Sequence, residues 1–401
     1  MTDAPVQDPA RNPDREGAGY SDPEPFTCEA QGQSLGFFPA GKDRRARLFE
    51  LVASAQHTLK VCFYIFVEDE VGTELRDALV AAALRGVDVT LVVDSFGADL
   101  SDPFLEPFRA AGGTFQTFGA RWSQRYLIRN HQKMVIVDDQ RAMFGGFNIE
   151  DDYFAPPEEN GWNDLAIVIE GSAVAGLVEW FARLASWTED DAAGFRRIRR
   201  AVREWNWSQG EGLRWLVGGP TKGLSGWATC VGRDLDRGHR LDMFMAYFSP
   251  SKRLLRRIGR IAQAGEARLV MAGKSDNNAT LGATRSLYHY LLGKQAEIYE
   301  FTPCKLHTKL IVLDDAVYLG SANFDMRSLF LNLEIMLRIE DAALAERMRQ
   351  FIGTHVAASE HITPDLHDKR ATVWNRIRWN LGWLLVSVLD YTVSRKLNLG
   401  L

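Results

Sequence analysis

The sequence predicts an α/β fold, with two similar α/β/α halves and mainly parallel sheets packed about a pseudo-two-fold axis. Three observations lead there. One motif occurs twice, first from His131 through Lys133 to Asp138, and again from His307 through Lys309 to Asp314. Around each copy, short β-branched or aromatic runs alternate in the same order with segments of helical spacing. The length, 401 residues, suits two domains or one large domain with internal symmetry.

Residues 1–33 are rich in Pro, Asp, Glu and Gln, a composition that predicts a disordered tail. The first half is expected over 34–190. Helical spacing over 44–55 leads to a strand at 59–66, then a helix over 71–85 that stops at Gly86. A strand at 87–93 and a short helix over 104–111 ending at Gly112-Gly113 come next. The strand at 114–118 precedes the motif strand 133–137, and a strand at 164–169 with a helix over 173–184 closes the half. Residues 191–235 read as a linker. The second half, 236–360, repeats the series with strands at 241–248, 267–271, 296–301, 309–313 and 334–339. Its helices fall over 252–264, 279–292 and 342–354.

Two segments stand outside this scheme. The linker carries Arg196, Arg197, Arg199, Arg200 and Arg203 ahead of Trp205 and Trp207. That pattern fits either a solvated helix face or contact with anionic headgroups. In the tail, 361–401, Lys369, Arg370, Arg376, Arg378, Arg395 and Lys396 interleave with Trp374, Trp379, Trp383 and Leu384-Leu385-Val386. A helix lying in a membrane interface fits that mixture; docking onto the protein or a second chain is the alternative.

Composition narrows the classes. Hydrophobic content of 46% and charged content of 25% describe an ordinary soluble core. A net charge of -5 argues against a nucleic-acid partner, because polyphosphate binders carry excess Lys and Arg. Cys28, Cys62, Cys230 and Cys304 are scattered and show neither disulfide nor zinc spacing. The N-terminus lacks the basic-then-apolar order of a signal peptide, and no stretch reaches the ~20 apolar residues that span a bilayer. The expectation is a cytoplasmic protein whose membrane contact is peripheral. No His, Cys or Asp spacing suggests a metal site, so neither metal nor cofactor is expected; the oligomeric state stays open.

The repeated motif carries the chemistry. Side chains alternate along a strand, so His131 and Lys133 share a face, as do His307 and Lys309. Two imidazoles and two ammonium groups can then meet on one phosphate, the lysines holding charge on its non-bridging oxygens. Asn148 and Asn323, in the small-residue turns after each strand, can donate amide hydrogens to the same oxygens. By parity Asp138 and Asp314 lie on the opposite face and suit a bracing role, at the turn, a neighbouring Arg or a backbone amide.

Arg129-Asn130-His131, Gly145-Gly146-Phe147-Asn148-Ile149 and the run from Gly320 to Ser328 resemble the phospholipase D superfamily, in particular its bacterial cardiolipin synthase branch. Tyr64-Ile65-Phe66, Glu70-Val71-Gly72 and Gly273-Lys274-Ser275-Asp276 extend the likeness, here to a form without N-terminal transmembrane helices. The resemblance implies double displacement through a phosphohistidine. His131 is the expected nucleophile and His307 the acid and base, and Asp138 and Asp314 count as active-site members. It implies a phospholipid substrate, an anionic membrane surface as partner, and transfer between two phosphatidylglycerols to give cardiolipin and glycerol. Alternatives are a phospholipase D acting on other phospholipids, a nucleic-acid phosphodiesterase, or a lipid-binding scaffold with a dead site. Aligning the halves matches Asp164 to Glu334; Asp164 is expected to orient His131, and Glu334 to orient His307. The bland alternative is that both acids merely begin edge strands.

Overall fold

The computed structural model describes residues 20–119, 128–189, 195–221 and 223–386. Two large sheets face each other. The first is built from β1 (Phe26–Ala30), β2 (Gln33–Phe38), β3 (Thr58–Phe63), β4 (Asp88–Asp94), β5 (Thr114–Phe118), β6 (Met134–Val137) and β7 (Arg141–Gly145). After the short β8 (Trp162–Asn163), β9 (Ala166–Glu170) completes it, in the spatial order β1-β2-β9-β7-β6-β3-β4-β5. The second uses β10 (Trp207–Gln209), β11 (Leu213–Gly218), β12 (Arg240–Met245), and, beyond the short β13 (Phe248–Ser249), β14 (Glu266–Ala272) and β15 (Glu297–Phe301). Beyond β16 (Lys305–Leu306) come β17 (Lys309–Leu313) and β18 (Ala316–Gly320), then, past β19 (Phe324–Asp325), β20 (Glu334–Glu340) and β21 (Ser359–His361). Its order, β10-β11-β20-β18-β17-β12-β14-β15-β21, reproduces the first sheet strand for strand and adds β21 at the edge.

The α/β class and the matched halves are as expected. Parallel pairing runs through β3-β4-β5 and β12-β14-β15, while tight hairpins such as β6–β7 and β17–β18 set their neighbours antiparallel. Each sheet is therefore mixed. Alternation along the strands sorts the core into layers. Cys62, Met134 and Ile136 join Phe244, Leu310 and Val312 in one apolar cluster shared by both halves. Their neighbours Val61, Phe63, Val135 and Val137 point the other way, toward α1 (Gly41–Ser54), α2 (Glu70–Leu84) and α3 (Asp102–Ala110). In the second half the outer layer is α6 (Gly226–Arg237), α7 (Lys252–Ala264) and α9 (Tyr288–Leu292). The central layer also takes α4 (Val174–Glu189), α5 (Phe195–Glu204) and α11 (Ala342–Ala357).

Two boundaries move. Residues 20–33, expected in the disordered tail, include β1 and the start of β2. Their two-residue turn is Gln31-Gly32, with φ of 50° and 71°, the left-handed pair that matches strand twist in a hairpin. Residues 1–19 lie outside the described residues. The expected linker is also largely structured: the whole of β11 pairs with β20, and α6 covers the second sheet. In α5, Ile198 and Val202 are buried with the arginines turned outward, while Trp205 packs on Trp180 at 5.0 Å. Trp207 lies against the same core, so neither tryptophan is presented as an interfacial anchor.

Candidate active site

Each motif strand enters at the junction of the halves, and the backbone shows how. The amide of His131 donates to the carbonyl of Leu333 at 2.9 Å, beside a parallel bridge between Asn130 and Leu333. The amide of His307 donates to the carbonyl of Asn163 at 2.8 Å, where Leu306 of β16 pairs with Asn163 of β8. Leu333 immediately precedes Glu334, and Asn163 immediately precedes Asp164. Each histidine is thus bonded to the chain just ahead of the other half's carboxylate.

The side chains follow the backbone. His131 Nδ1 lies 3.1 Å from Glu334 Oε2, and His307 Nδ1 lies 2.6 Å from Asp164 Oδ2. The expected partners are therefore exchanged. Asp164 serves His307 and Glu334 serves His131, because the strands cross at the junction instead of closing within a half. Both acids are buried, so they act on the imidazoles and not merely as the first residues of strands.

Lysine completes each pair. Lys133 donates to the carbonyl of His131 at 2.8 Å, and Lys309 donates to the carbonyl of His307. Burial lowers both ammonium groups, Lys133 to about 7 and Lys309 to about 8, although Glu334 and Asp164 pull each back up. Burial, and then Lys133 and Lys309 together, hold both imidazoles down, His131 well below its ordinary value and His307 to about 3. Each lysine thus acts on both histidines, which puts the two motifs in one charge environment.

The carboxylates differ. Burial raises Glu334 to about 7 against the pull of Lys133, while Ser321 at 2.5 Å and Ser328 at 2.8 Å donate hydroxyl hydrogens to it. Burial also opposes charge on Asp164, but His307, Lys309 and Arg44 outweigh it and hold the carboxyl below its usual range. Arg44, fully buried, donates to the carbonyls of Pro39, Tyr153, Trp162 and Asp164 itself. At the position matching Ser321, the first half has Gly146, where a Cβ would stand 2.7 Å from Asp164 Oδ1. A side chain there would crowd both oxygens of the carboxylate that meets His307. Gly145 and Gly320, at φ of 159° and 149°, give the same close approach to the carbonyls of Leu165 and Ile335.

Asp138 and Asp314 sit in the left-handed region, each at φ 50°. Asp138 accepts backbone hydrogens from Gln56, His57 and Thr58, and Asp314 from His239 and Arg240. Both brace turns at the far end of the motif strand. The structure does not bring them to the imidazoles. Asn148 is partly committed to its own half, accepting from the Ile65 amide at 3.1 Å and donating to the Tyr153 hydroxyl at 2.9 Å. Asn323 is buried and its Oδ1 has no hydrogen-bond partner among the described residues.

Several residues of the site were given no role from sequence. Tyr153, whose hydroxyl is 3.5 Å from His307 Nε2, stacks on Trp162, whose ring lies 5.3 Å from that of His307. Tyr64 packs against His131 at 4.9 Å. Ser321 and Ser328 lay within the repeated segment, so a hydroxyl count near the motif was a usable signal. Arg44 had none.

The sequence profile described as "Cardiolipin synthase, PLD-like domain" matches residues 48–185 and 234–355, well over half of the chain. The chain belongs to that family. Cardiolipin synthase B of Salmonella typhimurium is 29% identical to this cardiolipin synthase-family chain over 364 residues, 86% of either chain. The major cardiolipin synthase ClsA of Bacillus subtilis is 27% identical over 369 residues, 90% of this chain and 76% of that one. Among solved structures, phosphatidylserine synthase of Haemophilus influenzae Rd KW20 superposes with a TM-score of 0.70 at 15% identity. It covers 91% of this family member and 97% of its own chain, a likeness of fold.

Proposed function

We infer that the protein is a phosphatidyltransferase that makes cardiolipin, joining two phosphatidylglycerols with release of glycerol through a phosphohistidine. The crossed His–carboxylate pairs, with one lysine beside each imidazole, are the observation that carries this reading. His131, neutral at rest, attacks phosphorus while Lys133, Lys309 and Asn323 hold the non-bridging oxygens. The bound phosphodiester anion offsets the lysine charge that keeps His307 unprotonated. His307, steadied by Asp164, then takes up the proton that it passes to the departing glycerol oxygen. In the second step it removes the proton of the incoming hydroxyl, the P–N bond breaks, and His131 is regenerated.

Peripheral contact with an anionic bilayer completes the proposal. The helix α13 (Val373–Trp383) docks on α8 (Asn278–Arg285) through Trp379 and Gly382; a Cβ on Gly382 would stand 2.7 Å from the Ala279 carbonyl. Its other side exposes Val373, Trp374, Ile377, Leu381 and, just beyond, Leu385. Arg376 and Arg378 flank this apolar row. The buried side is the docking read as the alternative from sequence, and the exposed row supports the interfacial reading. No described helix is long and apolar enough to cross a membrane. Arg395 and Lys396 lie outside the described residues.

The test is incubation with phosphatidylglycerol liposomes and mass spectrometry of the lipids, with acid-quenched protein examined for phosphohistidine. Cardiolipin and a label at residue 131 are expected, and His131→Ala should lose both. Phosphatidic acid alone, at every phosphatidylglycerol density, would replace the transferase with a lipase.

A further inference from the structure

A center with pseudo-two-fold symmetry treats its two sides alike unless something outside the motifs separates them. Transfer requires separation, because the displaced glycerol and the incoming hydroxyl both lie opposite the nucleophile, in line with it. With His131 as nucleophile, that side belongs to His307. The surroundings of His307 hold a feature built from unequal parts of the halves. Counting from Asn148 and Asn323, Tyr153 matches Ser328. The second half reaches Glu334 through residues 329–333 alone, whereas the first reaches Asp164 only after 154–163. The extra length forms a short turn around Pro157–Glu159, with Asn160 left-handed at φ 58°.

This turn faces the loop after β14 across a cleft of about 700 Å³, whose polar lining includes Glu158, Asn160, Lys274, Asp276, Asn278 and Lys305. Two of its lining residues, Lys305 and Asp276, reach His307 through one aromatic ring each. Lys305 lies 4.6 Å above the Trp162 ring, whose other contacts include the imidazole. Tyr247 packs 6.4 Å from that imidazole and donates its hydroxyl to Asp276 at 3.2 Å. Lys305 also pairs with Asp152, and Lys274 has a long 3.4 Å contact to the Pro303 carbonyl. Two ammonium groups suit a phosphate. Two carboxylates and two amides beside them suit free hydroxyls and would repel a second anion lacking them. A phosphodiester carrying a glycerol has both.

We propose that this cleft is the acceptor subsite, holding the phosphate and hydroxyls of a second phosphatidylglycerol headgroup while its terminal hydroxyl meets the phosphohistidine beside His307. The hydroxyl oxygen bonds to phosphorus, the phosphorus–His131 bond breaks, and the hydroxyl proton passes to His307. The product then carries two phosphates one glycerol apart, one at the paired motifs and one at Lys274 and Lys305. This assignment rests on the cardiolipin-forming reading above and adds where the acceptor sits. The helix on which α13 docks, α8, also supplies Asn278 and Leu281 to the cleft.

The experiment compares the full chain with Lys274→Ala, Lys305→Ala and the double variant on phosphatidylglycerol liposomes, reading the ratio of cardiolipin to phosphatidic acid. Loss of one charge-assisted contact to phosphate is expected to lower that ratio about tenfold in each single variant. Lys274→Arg should recover most of it, and the acceptor concentration giving half-maximal transfer should rise. Should the double variant be inactive, the half-exposed Lys274→Glu serves instead, with a larger fall expected. A ratio equal to that of the unmodified chain, in variants that still turn over, overturns the cleft and leaves the cardiolipin-forming reading standing. An unmodified chain that makes no cardiolipin from phosphatidylglycerol removes both.

Discussion

Replacing one carboxylate at a time should separate the two proposed half-reactions, because each acid pairs with the other half's imidazole. Asp164→Asn removes the charge 2.6 Å from His307 Nδ1 and leaves His131 with Glu334. A hydrogen bond to a charged group contributes about 1.5–3 kcal/mol, which corresponds to roughly ten- to 150-fold in rate. The assay uses a p-nitrophenyl phosphodiester, whose leaving group departs unprotonated, with rapid quench for the phosphoenzyme and absorbance for the burst. Asp164→Asn should keep the burst and slow breakdown of the phosphoenzyme by that factor. Glu334→Gln should slow the burst itself, and its effect should depend on pH. Glu334 titrates near pH 7, so at pH 6 the acid is mostly neutral already and Gln resembles it. By pH 8 the lost charge is felt in full. A burst slowed by Asp164→Asn and spared by Glu334→Gln would exchange the roles of the imidazoles. Equal slowing of both steps by either variant would refute the division. Thermal melts accompany both variants, since Arg44 also leans on Asp164.

Other expectations follow from the same geometry. Binding of a phosphodiester analogue at pH 7.5 should take up about one proton, because the anion favors the charged forms of Lys133, Lys309 and His307 that burial suppresses. Calorimetry in two non-phosphate buffers of different ionisation enthalpy reads this, and identical heats would contradict it. The same lysines predict stability that rises with pH: the folded values lie below the unfolded ones, so from about 7 to 10.5 the unfolded chain binds more protons. Urea titrations at pH 7 and 9 check the sign. Gly146→Ala should displace Asp164 and cut turnover at least tenfold with the fold retained, given the 2.7 Å approach to Oδ1; full activity would mean that the carboxylate can retreat without loss. Trp374→Ser with Leu381→Ser should weaken sedimentation with anionic vesicles while hydrolysis of a soluble phosphodiester persists, and equal sedimentation would clear α13 of an anchoring role.

The legible parts of this molecule were the locally encoded ones. Alternating apolar runs marked β3, β4, β6, β12, β14 and β17, and strand parity placed Asp138 and Asp314 away from the imidazoles, where the structure gives them backbone amides. β1 was hidden by the Pro- and acid-rich stretch around it, although Phe26, Cys28 and Ala30 alternate with Thr27 and Glu29, and β10 is only three residues long. The turn at Gln31-Gly32 was the missed signal. The carboxylates were found by alignment, yet their partners were assigned the wrong way round. Internal repetition makes the within-half and between-half pairings equivalent by symmetry, and no local property separates them. Only the docking of His131 against Leu333 and of His307 against Asn163 does so.

That crossed arrangement makes each half chemically incomplete by itself. An isolated N-terminal piece would hold His131 without Glu334 and Asp164 without His307. A slip of one sheet past the other by a single residue would part both couples together. Catalytic competence is therefore a direct gauge of how the halves are registered.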